Sequence, residues 1–584
     1  MTPSLSRNAK RESILDQDSD MMRMAIIAVA VILVYLNSLS GVFLFDDDGA
    51  IVNNVAIHNL WAFDWFAFRG RPVTTLTLAI NYAIGGLDPI GYHVVNVVIH
   101  IINSLLLYWV IAAAIEASEP TNGRSPRSFA FASALLWAVH PLCTQSVTYV
   151  IQRSESLAAM GILATLFCWS MASRLNASTG WSIAAFVSSM IAYGSKESAA
   201  FLPIILLLYD RIFFSRSWHA VKRRAIWHAA VGLPVLVGAC IYAVAFLGGQ
   251  HQDPTVGFSM GRITPWTYFA SQPFVFLQYL WLSVLPIEQT LDYGWLPSEN
   301  RFLICLGLLL WVGIILSATW MIFRKPPIGF ICWACLLILA PSSSFMPLQD
   351  IIFEHRVYLP LASICLMFVY IWDRAGKMVS SRFGVDIGRW QILAGVAVVV
   401  ALGSLTIIRN RDYFSSEQMF ATDVARNPDN PRALANLADA SNFEHADHCI
   451  AMYVKALELY ERRGFFYAGT QYKLTRAIAD IYFLTGRPKE ASIYYFQALE
   501  GANDVLQEAE VHFSLAMIAS ANGEATDADR QFALALDKAD TLPGLQEAYA
   551  VHLRRTGREF KAAKAEEING VSRRSRSFIE SSSP

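Results

Sequence analysis

From residue 24 to about 408 the chain is a series of long apolar runs separated by short polar ones. Runs of spanning or near-spanning length lie at about 24–44, 93–116, 129–150, 157–173, 180–194, 198–215, 226–248, 266–286, 302–323, 328–346, 357–373 and 390–408. A membrane-spanning helix needs roughly 20 mostly apolar residues, so this pattern predicts a polytopic helical body. Beyond residue 410 the chain becomes polar and Ala-rich, which predicts a second, water-facing helical domain. The run at 24–44 is too long for a signal-peptide core and lacks an A-x-A cleavage site, so it reads as a retained first span. WTYFASQPFVFLQYLWLSVLP (266–286) is ambiguous: Pro273 interrupts it and aromatic residues crowd it, as in interfacial or re-entrant segments.

Charge sets the expected orientation, because cytoplasmic loops carry the excess of Lys and Arg. Arg7, Lys10, Arg11 and Arg23 precede the first span, and Arg124, Arg127, Arg216, Lys222, Arg223 and Arg224 follow in later loops. If 266–286 does not cross, Arg324, Lys325, Arg374, Lys377, Arg382 and Arg389 fall on the same side. The expected topology therefore has about 11 spans and a cytoplasmic tail at 1–23. The loop at 45–92 and the C-terminal domain lie on the outer face, which in a bacterium is the periplasmic side of the inner membrane.

The C-terminal part repeats itself. IYFLTGRPKEASIYYFQALE (481–500) aligns with IASANGEATDADRQFALALD (518–537). Gly486, Gly523 and Gly557 match, as do Ala491, Ala528 and Ala562. A period near 34 residues, with Gly at a tight turn and Ala at a helix crossing, is the tetratricopeptide signature. Residues 411–570 are expected to form this solenoid, which presents a concave face to peptides or proteins. Residues 571–584 read as a disordered tail.

Composition agrees: 54% of residues are hydrophobic and only 16% charged, against about 25% charged in soluble domains. The balance of 46 Lys and Arg against 47 Asp and Glu points to no nucleic-acid partner. Seven of the eight cysteines lie in or beside apolar runs, including the CWAC at 332–335, and imply neither disulfides nor zinc.

Candidate chemistry sits at the ends of the apolar runs. FDDDGAIVNN (45–54) places Asp46, Asp47 and Asp48 just after the first span. A carboxylate held near apolar surface and like charges gains proton affinity, as a general base requires; a solvated loop cap is the plainer reading. Three adjacent carboxylates could also hold Mg²⁺ or Mn²⁺. The D-x-D string lacks an accompanying G-x-G-x-x-G or nucleotide-binding βαβ unit. Arg71 lies in the following loop. His93, Asn96, His100 and Asn103 share one helix face, and Gln145, Tyr149 and Gln152 share another that leads to Arg153 and Glu155. SKES supplies Lys196 and Glu197, and FEHRVY supplies Glu354, His355, Arg356 and Tyr358. Singly, each reads as an interfacial ion pair of little energy. Together they make a basic cluster facing an acidic one, which suits a phosphate.

FLFDDDGAIVNN, RPVTTLTLAINYAIGGLDPIGYHVVNVVIHIINSLLLY, HPLCTQSVTYVIQRSESLAA, YGSKESAAFLPIILLLYD and FEHRVYLPLA, followed by the repeats, resemble the transmembrane and tetratricopeptide-repeat O-mannosyltransferase (TMTC) family and its bacterial relatives. The motifs occur in the family's order across nearly the whole chain. The resemblance implies an all-α fold: a GT-C-like transmembrane catalytic domain at 24–410, then the α-solenoid. It implies an inverting glycosyltransferase that takes a sugar from a polyprenyl-phosphate-linked donor. The acceptor would be a hydroxyl of a secreted or envelope protein recruited by the repeats. Asp46 and Asp47 occupy the place of the family's paired acidic motif and Asp48 is extra. A cell-envelope glycan or pilin-type subunit is an alternative acceptor, and a non-catalytic assembly scaffold an alternative role.

Overall fold

The computed structural model describes residues 3–62, 66, 70–118, 126–174, 178–247, 263–441, 445–464, 469–559, 561–562 and 565. Arg124 and the tail expected at 571–584 lie outside them. Among the described residues helix is the main regular structure and no β-strand occurs. The chain divides into two compact units, Met1–Thr422 and Asp423–Pro584.

The first unit is a membrane helix bundle. Among the described residues five helices are long and apolar enough to cross a bilayer: Ser19–Ser40, Pro89–Ala117, Val150–Arg174, Arg301–Arg324 and Gly388–Phe414. Two shorter apolar helices, Ala225–Ile241 and Pro326–Leu339, join them. Local chemistry sets where helices start. Asp88 caps Pro89–Ala117 by accepting from the Ile90 N–H at 3.0 Å, and Asn300 does the same for Phe302 at 2.9 Å. A side-chain acceptor followed by a favourable first turn satisfies donors the helix cannot.

The apolar run at 129–150 is not one helix. It is helical over Pro126–Ala138, then passes through short turns at Pro141–Cys143, Thr144–Val147 and Val150–Gln152 before Arg153–Arg174 begins. Proline disfavours helical backbone in the residue before it. His140 is accordingly extended, and its Nδ1 accepts from the Leu142 N–H at 3.2 Å. The break brings Gln145, Thr148 and Tyr149 into the buried interior. The segment at 266–286 forms one helix, Pro265–Val284. Tyr268 bonds to Ser342 O, Gln272 to Ile351 O and Tyr279 to Phe353 O, so successive levels of this helix attach to one connecting segment.

Helices approach closely where the side chain is absent. A Cβ on Gly161 would fall 2.5 Å from the backbone N of Ala192, where Arg153–Arg174 crosses Thr179–Tyr193. Small residues at such crossings allow the backbone contact that packs helices in lipid.

The second unit is a stack of antiparallel helix pairs. Thr470–Leu484 precedes Pro488–Gly501, Val505–Asn522 precedes Ala525–Lys538, and Leu545–Arg555 follows. The three aligned glycines occupy the turns with φ of 75°, 80° and 75°, a backbone region that favours glycine. Ala491, Ala528 and Ala562 are all fully buried. The helical repeat read from their spacing is present.

Gly161→Ala is expected to lower stability by about 1–3 kcal/mol through overpacking, measured as thermal unfolding in detergent. Gly313→Ala, whose added Cβ meets nothing within 4 Å, is expected to leave the melting temperature unchanged or higher.

Candidate active site

The three aspartates separate by burial. Phe45 adopts φ 49°, and this sharp turn points neighbouring side chains in different directions. Asp47 is fully buried. Its Oδ2 accepts from the Leu44 N–H at 3.0 Å and its Oδ1 from the Ile151 N–H at 2.7 Å. Asp46 is exposed, and its own N–H donates to the Tyr149 hydroxyl at 2.8 Å. Asp48 is also exposed and opens the short turn Asp48–Val52. Burial pushes Asp47 well above the usual carboxylate range; the two N–H bonds oppose this, and the Asp46 and Asp48 charges add to it. Burial raises Asp48 as well. Among the described residues no three His, Cys, Asp or Glu side chains converge as a metal site.

Arg153 is fully buried and lies at the break just described. Its Nε donates to Asn96 Oδ1 at 2.6 Å, its Nη1 to Asn81 Oδ1 at 2.6 Å and Thr77 O at 3.2 Å, and its Nη2 to Tyr92 O at 2.8 Å. These partners come from the helices Pro72–Gly85 and Pro89–Ala117. Asn96 in turn donates to Val147 O and Val150 O at 3.1 and 3.3 Å. The guanidinium thus fastens the turn that holds Asp46 and Asp47.

Two cations stand nearer the surface. Lys196 Nζ lies 2.9 Å from Glu155 Oε2 and 3.0 Å from Gln152 Oε1. Arg71 forks onto Glu197, with Nε to Oε1 at 3.1 Å and Nη2 to Oε2 at 2.8 Å. The Val73 N–H bonds to Gly194 O at 2.9 Å and Thr74 Oγ1 to Ser195 O at 3.0 Å, so the loops carrying Arg71 and Lys196 are stitched together. Burial works against the charge of Arg71, but Glu197, Glu155 and Asp46 outweigh it and hold its proton more firmly. Burial lowers the proton affinity of Lys196; Glu155 resists this and Arg71 adds to it. Burial also opposes the charge of Glu197, but its pairing with Arg71 holds it below the ordinary range.

The FEHRVY residues form a third group. Glu354 is fully buried and accepts from Gln289 Nε2, the Thr290 N–H and the Tyr293 hydroxyl at 2.8, 2.9 and 2.8 Å. The His355 N–H donates to Gln145 Oε1 at 2.6 Å. Arg356 donates to Ile351 O and Asp350 O at 3.2 and 2.8 Å, and its guanidinium carbon lies 5.5 Å from the Phe353 ring centroid. The Tyr358 hydroxyl is buried, bonded to His100 Nδ1 at 2.8 Å and to Asn103 Nδ2 at 3.0 Å. His93 is buried against Gly41, where a Cβ would meet its Nε2 at 2.8 Å.

The structure brings Arg71 within electrostatic range of Glu197, Glu155 and Asp46, Lys196 within range of Glu155, Arg71 and Glu197, and His355 within range of Lys196, Arg356 and Arg71. Arg153, Glu354 and Tyr358 are instead turned inward onto protein partners. Asn81, Gln289 and Thr290 were not singled out by sequence. Asn81 alone carried a signal, as an amide within the apolar LTLAINYAIGG.

No family model matches the chain. Curated relatives do. Protein O-mannosyl-transferase TMTC3 of Mus musculus is 23% identical over 74% of this chain and 50% of its own length. TMTC4 of Homo sapiens is 24% identical over 71% of this chain and 64% of its own. Tmtc3 of Drosophila melanogaster is 24% identical over 75% and 55%. The chain is similar to the TMTC protein O-mannosyl-transferases. It spans between half and just under two thirds of the length of these relatives. The TMTC-like resemblance of the motifs thus extends through most of the sequence.

Asp47→Asn retains one acceptor for two buried N–H groups and is expected to cost about 1–3 kcal/mol. Because the folded Asp47 binds its proton more tightly than an unfolded one, its contribution is full at acid pH and lost as pH rises through its folded value. The difference in melting temperature between wild type and Asp47→Asn should therefore narrow as pH rises above about 4.

Proposed function

We propose that this chain is a membrane glycosyltransferase of the GT-C type. It would transfer a sugar from a polyprenyl-phosphate-linked donor to a hydroxyl of a protein acceptor on the outer face of the inner membrane. The observation that carries the reading is an exposed carboxylate, Asp46, within electrostatic range of the half-buried Arg71, beside the turn fixed by Arg153. The names of the relatives support protein O-mannosylation as the reaction class.

In this mechanism the acceptor oxygen attacks the anomeric carbon and loses its proton to Asp46, a general base. The bond from that carbon to the phosphate oxygen breaks, and its electron pair leaves with the phosphate. Attack opposite the departing oxygen inverts the anomeric centre. Arg71, Lys196 and Arg356 meet the growing charge on phosphate, where preorganised donors contribute most. Glu197 holds Arg71 in place until phosphate arrives, and Glu155 keeps Lys196 fixed throughout. Arg153, Glu354 and Tyr358 position the loops. Asp47 holds the turn, while Asp48 and His93 border the site. The donor must already lie across the membrane, since nucleotide sugars are cytoplasmic.

The placement on one face rests on continuity. Val42 N–H bonds to Tyr413 O at 3.0 Å, so the first span ends where Gly388–Phe414 ends. Attachment of Pro265–Val284 to residues 342–353 along its length favours a segment that stays on that side. Residues 411–570 then follow outside, where the repeats would recruit the acceptor.

Asp46→Asn is expected to reduce transfer by roughly 10²–10⁴-fold at unchanged melting temperature. The assay is transfer from radiolabelled polyprenyl-phosphate mannose to envelope proteins. Transfer equal to wild type in folded Asp46→Asn would overturn its role as base. Lys196→Gln and Arg71→Gln are expected to raise KM for the donor.

A further inference from the structure

We propose that His355 takes up a proton when the donor phosphate binds, so that the site gains a cation only when its anionic ligand is present. This rests on the reading of the cluster as a phosphate site. The residue is 6% exposed, and its ring Nδ1 is buried without a hydrogen-bond partner among the described residues. Its backbone is held by Gln145, and its ring stacks on Phe353 at 5.0 Å between centroids with an interplanar angle of 25°. A rigidly held imidazole with an unused buried nitrogen is unusual, since buried polar atoms nearly always find partners.

The surroundings determine its charge. Burial first, and then the charges of Lys196, Arg356 and Arg71, keep its proton affinity well below that of a free histidine. The nearby carboxylates are already engaged: Glu155 by Lys196, Glu197 by Arg71, and Glu354 by Gln289, Thr290 and Tyr293. The packed turns Pro141–Cys143 and Thr144–Val147 bring no charged side chain, nor does the first turn of Pro360–Phe383. In the free protein the ring is thus neutral beside three cations. Burial is the larger cause and persists, but a phosphate anion among those cations offsets their repulsion and itself attracts the charged ring. The imidazole then accepts one proton from solvent. When the sugar–oxygen bond breaks, the phosphodiester becomes a monoester with a second negative charge. The imidazolium balances that charge and can return its proton to the phosphate oxygen, whose second ionisation lies near pH ~6. Release of the product restores the neutral ring.

The test uses the full chain in detergent, without acceptor. A polyprenyl-phosphate mannose is titrated calorimetrically in two buffers of different ionisation enthalpy. This probe is a phosphodiester and does not itself titrate near neutral pH, so any proton uptake belongs to the protein. Between the free-state and bound-state values of the ring, wild type is expected to take up close to one proton, with affinity rising about tenfold per unit fall in pH across that window. His355→Gln and His355→Asn, checked by melting temperature, should bind with no uptake and with flat pH dependence. Lys196→Arg, which cannot titrate in this range, and Asp46→Asn should both retain the uptake. Equal uptake in wild type and in folded His355 variants would overturn the inference while leaving the phosphate site intact. Absence of binding by wild type, or equal binding of the uncharged polyprenol, would overturn both.

Discussion

A fully buried guanidinium whose donors are met by amide and carbonyl oxygens is the constraint on which this site depends. Burying a charge costs several kcal/mol unless its donors are satisfied. Arg153 meets that cost with two asparagine oxygens and two backbone carbonyls, drawn from the helices Pro72–Gly85 and Pro89–Ala117. Each acceptor must therefore stay where it is, or a buried N–H loses its partner. The same arrangement fixes Asn96, which holds Val147 and Val150 through their carbonyls. The turn so held presents the Ile151 N–H and the Tyr149 hydroxyl to Asp47 and Asp46. A packing decision made at Arg153 thus reaches the loop after the first span.

That loop resolves the repulsion of three adjacent carboxylates by sending them to different environments. Asp47 turns inward onto two N–H groups, while Asp46 and Asp48 face outward. Among the described residues the three do not converge on one cation site, because Asp47 is buried in the turn that its neighbours leave. The geometry instead favours division of labour, with one carboxylate buried and fixing the turn and its neighbour exposed at the surface. The proposed proton transfer uses the exposed one.

Much of this was legible in sequence, for identifiable reasons. Apolar runs announce spans, and the Gly486–Gly523–Gly557 and Ala491–Ala528–Ala562 series announced turns and crossings that the structure contains. The motifs carrying Asp46, Arg71, Lys196 and His355 also showed which ends of the runs were polar. Direction was not legible. A polar residue at a helix end can face water or turn inward, and linear spacing does not distinguish the two. Arg153 and Arg71 look equivalent as text, yet one is sealed among amides and the other is half-exposed on Glu197. Glu354 looked like a surface acid and is instead the buried acceptor for three donors of a distant segment. Its partners Gln289 and Thr290 lie in a stretch without periodicity, so no pattern could have announced them.

The two cation pairs differ in how readily they yield to a ligand. The Arg71 and Glu197 side chains retain 34% and 62% of their exposure, whereas Lys196 and Glu155 retain 12% and 3%. Water screens the first pair, and exposed pairs are worth little, so exchange of Glu197 for a phosphate oxygen costs little. The second pair is shielded, and removing Lys196 from Glu155 would leave a buried carboxylate unpaired. Lys196 therefore serves best without moving, its charge felt by the ligand while its bond to Glu155 persists. Arg71 is the arm that swings. On this reasoning the acidic partners are not competitors for phosphate but the means by which one cation is kept fixed and the other kept ready.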